Sequence, residues 1–379
     1  MELNSYTKGR GVDVSRHPCI KGAIYFFLEP DNFYSLKHKF KPESLDFIFS
    51  RDLINETKFY RILLKEWFYS IKVNGHLIIE IKNNRVLNFT ELIGEINNLL
   101  NGNSKIISKE EIVNGYQRII LRKIKPSLNK KDRINCWTFG IITNGKRKDW
   151  VEKQIQSIKN QKIPHYEIIV CGTYFDRKES NFRYIHFNKK DDKGWITKKK
   201  NLICKNAKYE NIVVMHDKFI LDKNWYNGIK KYGNYFDVLS NVILDETGKR
   251  AGDWMTFGTK WQRLSKVGLL EYLDWDEHIY LDGGYYVLKK DTWKKAKWDE
   301  SLFWNQGEDI KLSKDFHKNG FVPRFNAYSR CKTLLWRHGF GGIYIFNKHK
   351  LGRITQRSNK YYLWYIKQLI KRHILRRKY

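Results

Sequence analysis

Three acidic side chains stand where chemistry could use them. Asp217 closes the apolar run NIVVMHD, and Glu308 and Asp309 follow Trp304 and Gly307 in WNQGED. A carboxylate at the end of a strand can hold a divalent cation, and one beside a hydroxyl can take its proton. The Glu308–Asp309 pair also suits the start of a helix, where amide dipoles favour carboxylates, with Lys311 and Lys314 in the next turn. Taken alone, the pair is better read as a turn and a favourable helix start. The five cysteines, Cys19, Cys136, Cys171, Cys204 and Cys331, carry no C-x-x-C and no close Cys/His pairing. That spacing argues against a zinc ribbon or a disulfide scaffold. Lys198 to Lys200, Arg330, Lys332 and Arg337 are candidate cationic contacts for phosphate groups.

These residues need elements to position them. The chain has 379 residues, and at roughly 150 residues per domain more than one domain is expected. Hydrophobic residues at 41% and aromatics at 15% supply enough apolar surface for real cores, which excludes disorder over most of the length. The net charge of +32 suits nucleic acid, anionic lipid or phosphorylated small molecules without choosing among them. No segment approaches the roughly 20 apolar residues of a membrane span, and MELNSYTKGRGVDVSRHP lacks the apolar core of a signal peptide, so the expected compartment is cytoplasmic.

Up to residue 125 apolar runs alternate with helical patterns: GVDV, AIYFFLE, LDFIFS, a helix over 56–71, GHLIIEI, a helix over 88–100, KIIS and YQRIILRKI. Such alternation predicts βαβ units and a parallel sheet. The polar segment 126–135 reads as a linker. The α/β pattern then restarts: CWTFGIIT, a helix over 150–160, YEIIVCG, a helix over 198–206 and NIVVMHD. No repeat period stands out, so two α/β domains are predicted.

The stretch from Gly9 to Ile81 resembles a class I S-adenosylmethionine-dependent methyltransferase. GRGVDV is similar to that family's first strand, AIYFFLEP to its second with Glu29 at the ribose position, LDFIFSRDLIN to its fourth, and VNGHLIIEI to the turn into its fifth. The resemblance implies a glycine loop after Val14, where this chain has Ser15, Arg16, His17 and Pro18. Glycine serves there because the backbone takes φ > 0 and closely approaches the cofactor, which a Cβ or a proline ring obstructs. Residues 1–125 are therefore expected to keep the fold without binding S-adenosylmethionine. Glu29 and Asp46 are expected to be solvated or structural carboxylates, and Cys19 an ordinary small residue.

From about Asn135 to Gly342 the chain resembles the GT-A glycosyltransferases, particularly the inverting family two, and a GT-A domain is expected over residues 136–355. FGIITNGKRKDWVEKQIQSIKNQKIPHYEIIV is similar to the family's opening strand, helix and second strand, with Thr143 in the donor-binding loop. GWITKKKNLICKNAKYENIVVMHDKFIL is similar to its R-N…D-x-D stretch, with Lys200 and Asn201 at the R-N positions and Met215, His216 and Asp217 in the D-x-D register. LDGGYYVLKKDTWKKAKWDESLFWNQGEDIKLSKDFHKNG is similar to its acceptor region, with Gly283, Gly284 and Trp304 contacting the acceptor. The resemblance implies that Asp217 carries Mn²⁺ or Mg²⁺ on the donor diphosphate; His216 beside it is a candidate to orient Asp217 or touch the nucleotide, although a histidine beside an apolar strand is more often packed and hydrogen-bonded. The resemblance further implies that Asp309 is the base, that Glu308 holds the acceptor, and that His338 in LLWRHGFGG is an extra metal ligand.

The fold class expected is thus α/β, a Rossmann-like methyltransferase-type domain followed by a GT-A nucleotide-diphospho-sugar transferase domain. The function expected is inverting hexosyl transfer from a nucleotide-sugar donor to a glycan or lipid-linked acceptor. Rival classes are an RNA-binding, nucleic-acid-modifying protein and an inactive scaffold. Against RNA, no R-G-F-G-F, G-x-x-G clamp or helix-turn-helix pattern occurs. Of the thirteen tryptophans, Trp195, Trp254, Trp261, Trp275 and Trp304 fall near the expected cleft, and Trp304 is the one expected outside the core. Finally, residues 356–379 space Tyr362, Ile366, Leu369, Ile370 and Ile374 at helical intervals among many Lys and Arg, the pattern of a basic amphipathic helix suited to an anionic membrane surface.

Overall fold

The computed structural model describes residues 3–27, 36, 39–127, 129, 131–257, 267–275, 277–336 and 344–346. The described residues divide into two units, one within Met1–Asn129 and Lys318–Val322, the other within Lys130–His317 and Pro323–Tyr379.

The first unit is built on strands β1 (Gly11–Asp13), β2 (Ile24–Tyr25), β3 (Leu45–Arg51), β4 (Ile71–Ile81), β5 (Ser104–Ile112) and β6 (Tyr116–Lys123), in the order β2-β1-β3-β4-β6-β5 among the described residues. The first four run parallel, and β6 is antiparallel to both β4 and β5. The centre of strand β3, Phe47, Ile48 and Phe49, is continuously apolar because it is buried on both faces. Helix α1 (Tyr60–Ser70) buries Ile62, Leu63, Leu64, Trp67 and Phe68. It starts later than the sequence pattern predicts, since the Thr57 hydroxyl accepts from the Phe59 amide at 3.2 Å and holds a turn there. Helix α2 (Phe89–Leu99) starts at a reciprocal capping box, Asn88 Oδ1 accepting from Glu91 N at 2.9 Å and Glu91 Oε2 from Asn88 N at 3.0 Å.

Strand β1 lies between β2 and β3, so chain connections leave it in opposite directions, the place where open α/β sheets form a ligand crevice. The loop that follows β1 is tied back onto the strand. The carboxylate of Asp13, 1% exposed, accepts the amides of Ser15 at 3.0 Å, Cys19 at 2.5 Å and Ile20 at 2.9 Å. The Ser15 hydroxyl in turn accepts from the Arg51 amide at 2.9 Å. Asp46 accepts from Arg10 N at 2.8 Å and Lys72 Nζ at 2.7 Å, a structural pairing. Glu29 lies outside the described residues.

The second unit carries an eight-stranded sheet among the described residues, in the order β11 (Phe219–Leu221), β17 (Pro323–Thr333), β12 (Val238–Leu244), β16 (Tyr285–Lys289), β10 (Asn211–His216), β7 (Cys136–Thr143), β8 (His165–Gly172) and β9 (Phe182–His186). Its parallel half is β7, β8, β9 and β10. The other half comprises β11, β12, β16 and β17. Helices α3 (Lys148–Lys159), α4 (Ile196–Asn206), α5 (Trp225–Tyr232), α6 (Lys290–Lys295) and α7 (Glu308–Lys318) belong to the same unit. A smaller sheet joins β13 (Met255–Phe257), β14 (Val267–Leu270), β15 (Ile279–Tyr280) and β18 (Tyr344–Phe346).

The core of this unit packs Trp137, Phe139 and Ile141 of β7 with Val151, Ile155 and Ile158 of α3, Val213 and Met215 of β10, and Trp225 of α5. Each such side chain contributes about 1.5–3 kcal/mol on burial. The buried Trp225 indole donates to the Tyr285 hydroxyl at 2.7 Å, so its polar edge is satisfied. Strand β16 runs antiparallel to β10, pairing Met215 with Tyr285. That pairing brings the start of β16 to the same sheet end as the C-terminal ends of β7 and β10.

Candidate active site

Asp217 follows the last residue of β10 and is 7% exposed. The Thr143 hydroxyl, at the end of neighbouring β7, donates to Asp217 Oδ2 at 2.8 Å, and the Arg147 guanidinium meets Oδ1 at 3.4 Å. Burial pushes the Asp217 carboxyl up, while Thr143 and Arg147 pull it down. Lys199, from α4, donates to the Thr143 carbonyl at 2.7 Å and pairs with Asp191 at 2.6 Å. The strand ends thus hold two carboxylates and two cations within one hydrogen-bonded cluster.

The link from β10 to the acidic pair runs through the glycines. His216 N donates to the Gly284 carbonyl at 2.8 Å, continuing the β10–β16 ladder, and Gly284 N donates to Asp282 Oδ1 at 2.6 Å. Gly283 allows a close approach: a Cβ there would lie 2.9 Å from Glu308 Oε1 and 3.3 Å from Asp309 Oδ2. Both carboxylates at the start of α7 therefore rest on the Gly283 backbone, one residue from the ladder that leads to Asp217. His216 also anchors α3, its carbonyl accepting from Gln154 Nε2 at 3.0 Å.

Lys200 is 1% exposed; its Nζ donates to the Gly283 carbonyl at 2.6 Å and lies 3.6 Å from Glu308 Oε1. The ammonium also sits over the rings of Tyr286 and Trp298, at 5.4 and 5.5 Å from their centroids. Burial drives Lys200 down, and Glu308, Asp309 and Asp282 draw it back up. Burial and the adjacent Glu308 charge push the Asp309 carboxyl up to about 7, against its hydrogen bond from Ile310 N and the Lys200 charge. Asn201 spends its amide internally: Nδ2 donates to Trp298 O and Glu300 Oε1, and Oδ1 accepts from Trp293 Nε1 and Trp298 N.

At the rim Trp304 is 48% exposed, and its amide donates to the Gly194 carbonyl at 2.9 Å. Trp195 packs near Phe187 and Phe303, with Lys190 over its ring at 4.5 Å. Trp254 and Trp275 are buried, donating their indole N–H groups to Asp274 O and Pro323 O, and they belong to the core. Trp261, Arg337, His338 and residues 356–379 lie outside the described residues.

Among the described residues no group of three or more His, Cys, Asp or Glu is arranged to hold a metal ion. No described helix is long and apolar enough to cross a membrane. Arg147 is the site residue that sequence reading does not single out. Lys199 is a candidate only as one of the run KKK, and helix phase separates its direction from that of Lys200 by about 100°.

No protein-family model matches the chain, and no curated protein does. Solved structures do resemble it. The crystal structure of GalNAc-T7 with UDP, GalNAc and Mn²⁺ is 13% identical over 54% of this chain and 44% of that one, with a TM-score of 0.43. That of S. aureus TarS is 12% identical over 53% of this chain and 37% of that one, at 0.37. TarS 1-349 is 12% identical over 52% of this chain and 60% of that one, at 0.36. These neighbours are glycosyltransferases. This chain spans less than two thirds of the length of each, and likeness at this level fixes neither a substrate nor a reaction for it.

Proposed function

We propose that the second unit is a GT-A-type glycosyltransferase that moves a hexose, with inversion, from a nucleotide-sugar donor to a hydroxyl of a glycan or lipid-linked acceptor. The observation that carries this reading is the convergence of Asp217 and the Glu308–Asp309 pair on one end of the sheet through the Gly283–Gly284 strap. In-line displacement at an anomeric carbon needs a group that handles the leaving diphosphate and another that deprotonates the attacking hydroxyl. Asp217 and Thr143 lie on the donor side. Asp309 takes the hydroxyl proton, which its raised affinity favours near neutral pH, while Glu308 hydrogen-bonds the acceptor and Trp304 offers an exposed ring to a sugar face.

The donor set suits a hard cation. Asp217 presents a carboxylate fixed by Thr143, and Mg²⁺ commonly takes one or two protein carboxylates and completes its shell with substrate phosphates and water. Mn²⁺ or Mg²⁺ held by Asp217 would supply charge neutralisation to the departing diphosphate. The first unit, in this proposal, keeps a methyltransferase-like fold without S-adenosylmethionine, because Asp13 binds the amides of the loop that would cradle it.

The test is a transfer and hydrolysis assay over a panel of sugar nucleotides with Mn²⁺, followed by NMR of the product anomer. Release of nucleoside diphosphate from one donor, with inverted configuration in the product, is expected. Retention would overturn the inverting mechanism, and no binding of any sugar nucleotide would overturn the reading.

A further inference from the structure

Arg147 is the cation of the Asp217 cluster that has room to move. It occupies the residue before α3, where its carbonyl accepts from the amides of Trp150 and Val151, so its backbone is fixed by the helix start. Its side chain makes no capping bond; it lies over the Trp150 ring at 4.8 Å and remains 38% exposed. The contact to Asp217 Oδ1, at 3.4 Å, is long for a charge-assisted hydrogen bond. Lys199 differs: it is 3% exposed and its ammonium is pinned between Thr143 O and Asp191 at 2.7 and 2.6 Å.

We infer that Arg147 is a diphosphate-binding residue, which pairs with Asp217 while the site is empty and turns its guanidinium onto the donor's diphosphate when the donor enters. This rests on the glycosyltransferase reading and deepens it. A planar guanidinium matches two phosphate oxygens, which a lysine point charge does not. Its departure would leave Asp217, the residue that would hold the donor's cation, unpaired with Arg147. The Trp150 face provides the support, since a cation 4.8 Å above the ring is attracted without being fixed in one direction.

The test uses the full chain and isothermal calorimetry with UDP, GDP, UMP and GMP, each with and without Mn²⁺. A hydrogen-bonded charge contact of about 1.5–3 kcal/mol corresponds to a loss of roughly 10- to 100-fold in affinity. Arg147→Ala should weaken the preferred diphosphate by that factor and leave its monophosphate nearly unchanged. Arg147→Lys should fall between. Because the side chain is partly exposed and caps nothing, both variants should stay folded with a melting temperature within a few degrees of wild type, and fold integrity by circular dichroism separates a binding loss from misfolding. Equal affinity of Arg147→Ala and wild type for the diphosphate would overturn the inference alone, as would equal losses for monophosphate and diphosphate. Failure of the wild type to bind any nucleotide would overturn the inference together with the glycosyltransferase reading.

Discussion

The two sheets end in opposite ways. At the strand ends of the first unit, each carboxylate is saturated by groups of the protein itself: Asp13 takes three backbone amides, and the fully buried Glu80 is gripped by Arg51 and Arg118, both at 2.6 Å. In the second unit burial raises the proton affinity of Asp217 and Asp309, and their partners compensate only in part. A fully paired buried charge is a structural device, whereas a pair of carboxylates whose surroundings push them up marks a candidate site for binding and proton transfer. The contrast separates strand-end carboxylates fully paired within the protein from carboxylates whose partners only partly offset their burial.

The largest expected effect breaks the second half of that comparison. Asp217→Ala should abolish transfer and weaken donor binding, because it removes the anchor for the diphosphate's cation. Asp309→Asn should leave donor affinity intact and lose roughly 10²-fold or more in rate, the scale of a general base. Steady-state kinetics beside nucleotide calorimetry distinguish the two, and wild-type rates for Asp309→Asn on the correct substrates would sink the base assignment.

Asp309 also makes the comparison pH-dependent. A base with a pKa of about 7 is active when deprotonated, so kcat/KM should rise with pH through about 7 and level above it. For stability the sign is reversed. The folded-state value lies above the unfolded one, so the native state holds the extra proton between roughly 4 and 7, and the stability this provides is lost as pH rises through 7. Asp309→Asn should therefore melt higher than wild type at pH 8, with the advantage shrinking as the pH falls towards 5. A flat difference across that range would show that the carboxyl is not held in a costly state.

Much of this was legible in the sequence, for identifiable reasons. The runs CWTFGIIT, YEIIVCG and NIVVMHD are buried on both faces and become β7, β8 and β10 almost residue for residue, because parallel strands under helices show as continuous apolar runs. Asp217 is visible because it ends such a run, and the Glu308–Asp309 pair because it stands in a WNQGED block at a helix start. Elsewhere local pattern fails. Strand β4 begins at Ile71, with Lys72, Val73 and Asn74 exposed, and a solvated strand extension carries no apolar alternation. Strands β12 and β17 pair in parallel across a long stretch of chain, and no local signal announces that contact. Arg147 sits among Lys146, Lys148 and the NGK turn, where one basic residue looks like the next until the strand end of β7 is folded against β10.

A smaller effect is expected at the strap that joins the two parts of the site. Gly283→Ala adds a methyl 2.9 Å from Glu308 Oε1, so the α7 carboxylates must shift while the strand itself stays paired. Misplacement of a reacting group by a fraction of an ångström to an ångström costs up to about 10²-fold. A loss of roughly 10-fold in kcat with donor affinity unchanged is expected. Unchanged kcat would mean that the acidic pair does not need its seat on Gly283.

The smallest effect on transfer, and the sharpest test of the first unit, is at Asp13. Three amides point at its carboxylate, and an asparagine would turn an NH₂ group towards some of them, replacing attraction by donor facing donor. Leaving buried amides unsatisfied costs about 1–3 kcal/mol, so Asp13→Asn should lower the melting temperature by several degrees. Turnover per folded molecule should not change, because Asp13 belongs to the unit that carries no part of the proposed site. Calorimetry on the wild type should detect no S-adenosylmethionine, since the Ser15, Cys19 and Ile20 amides are bonded to Asp13 of the strand they follow and so are not presented as a free amide row. A micromolar dissociation constant for that cofactor would show that the loop releases Asp13 on binding. The contrast between fully paired and partly compensated carboxylates would then fail at its first term.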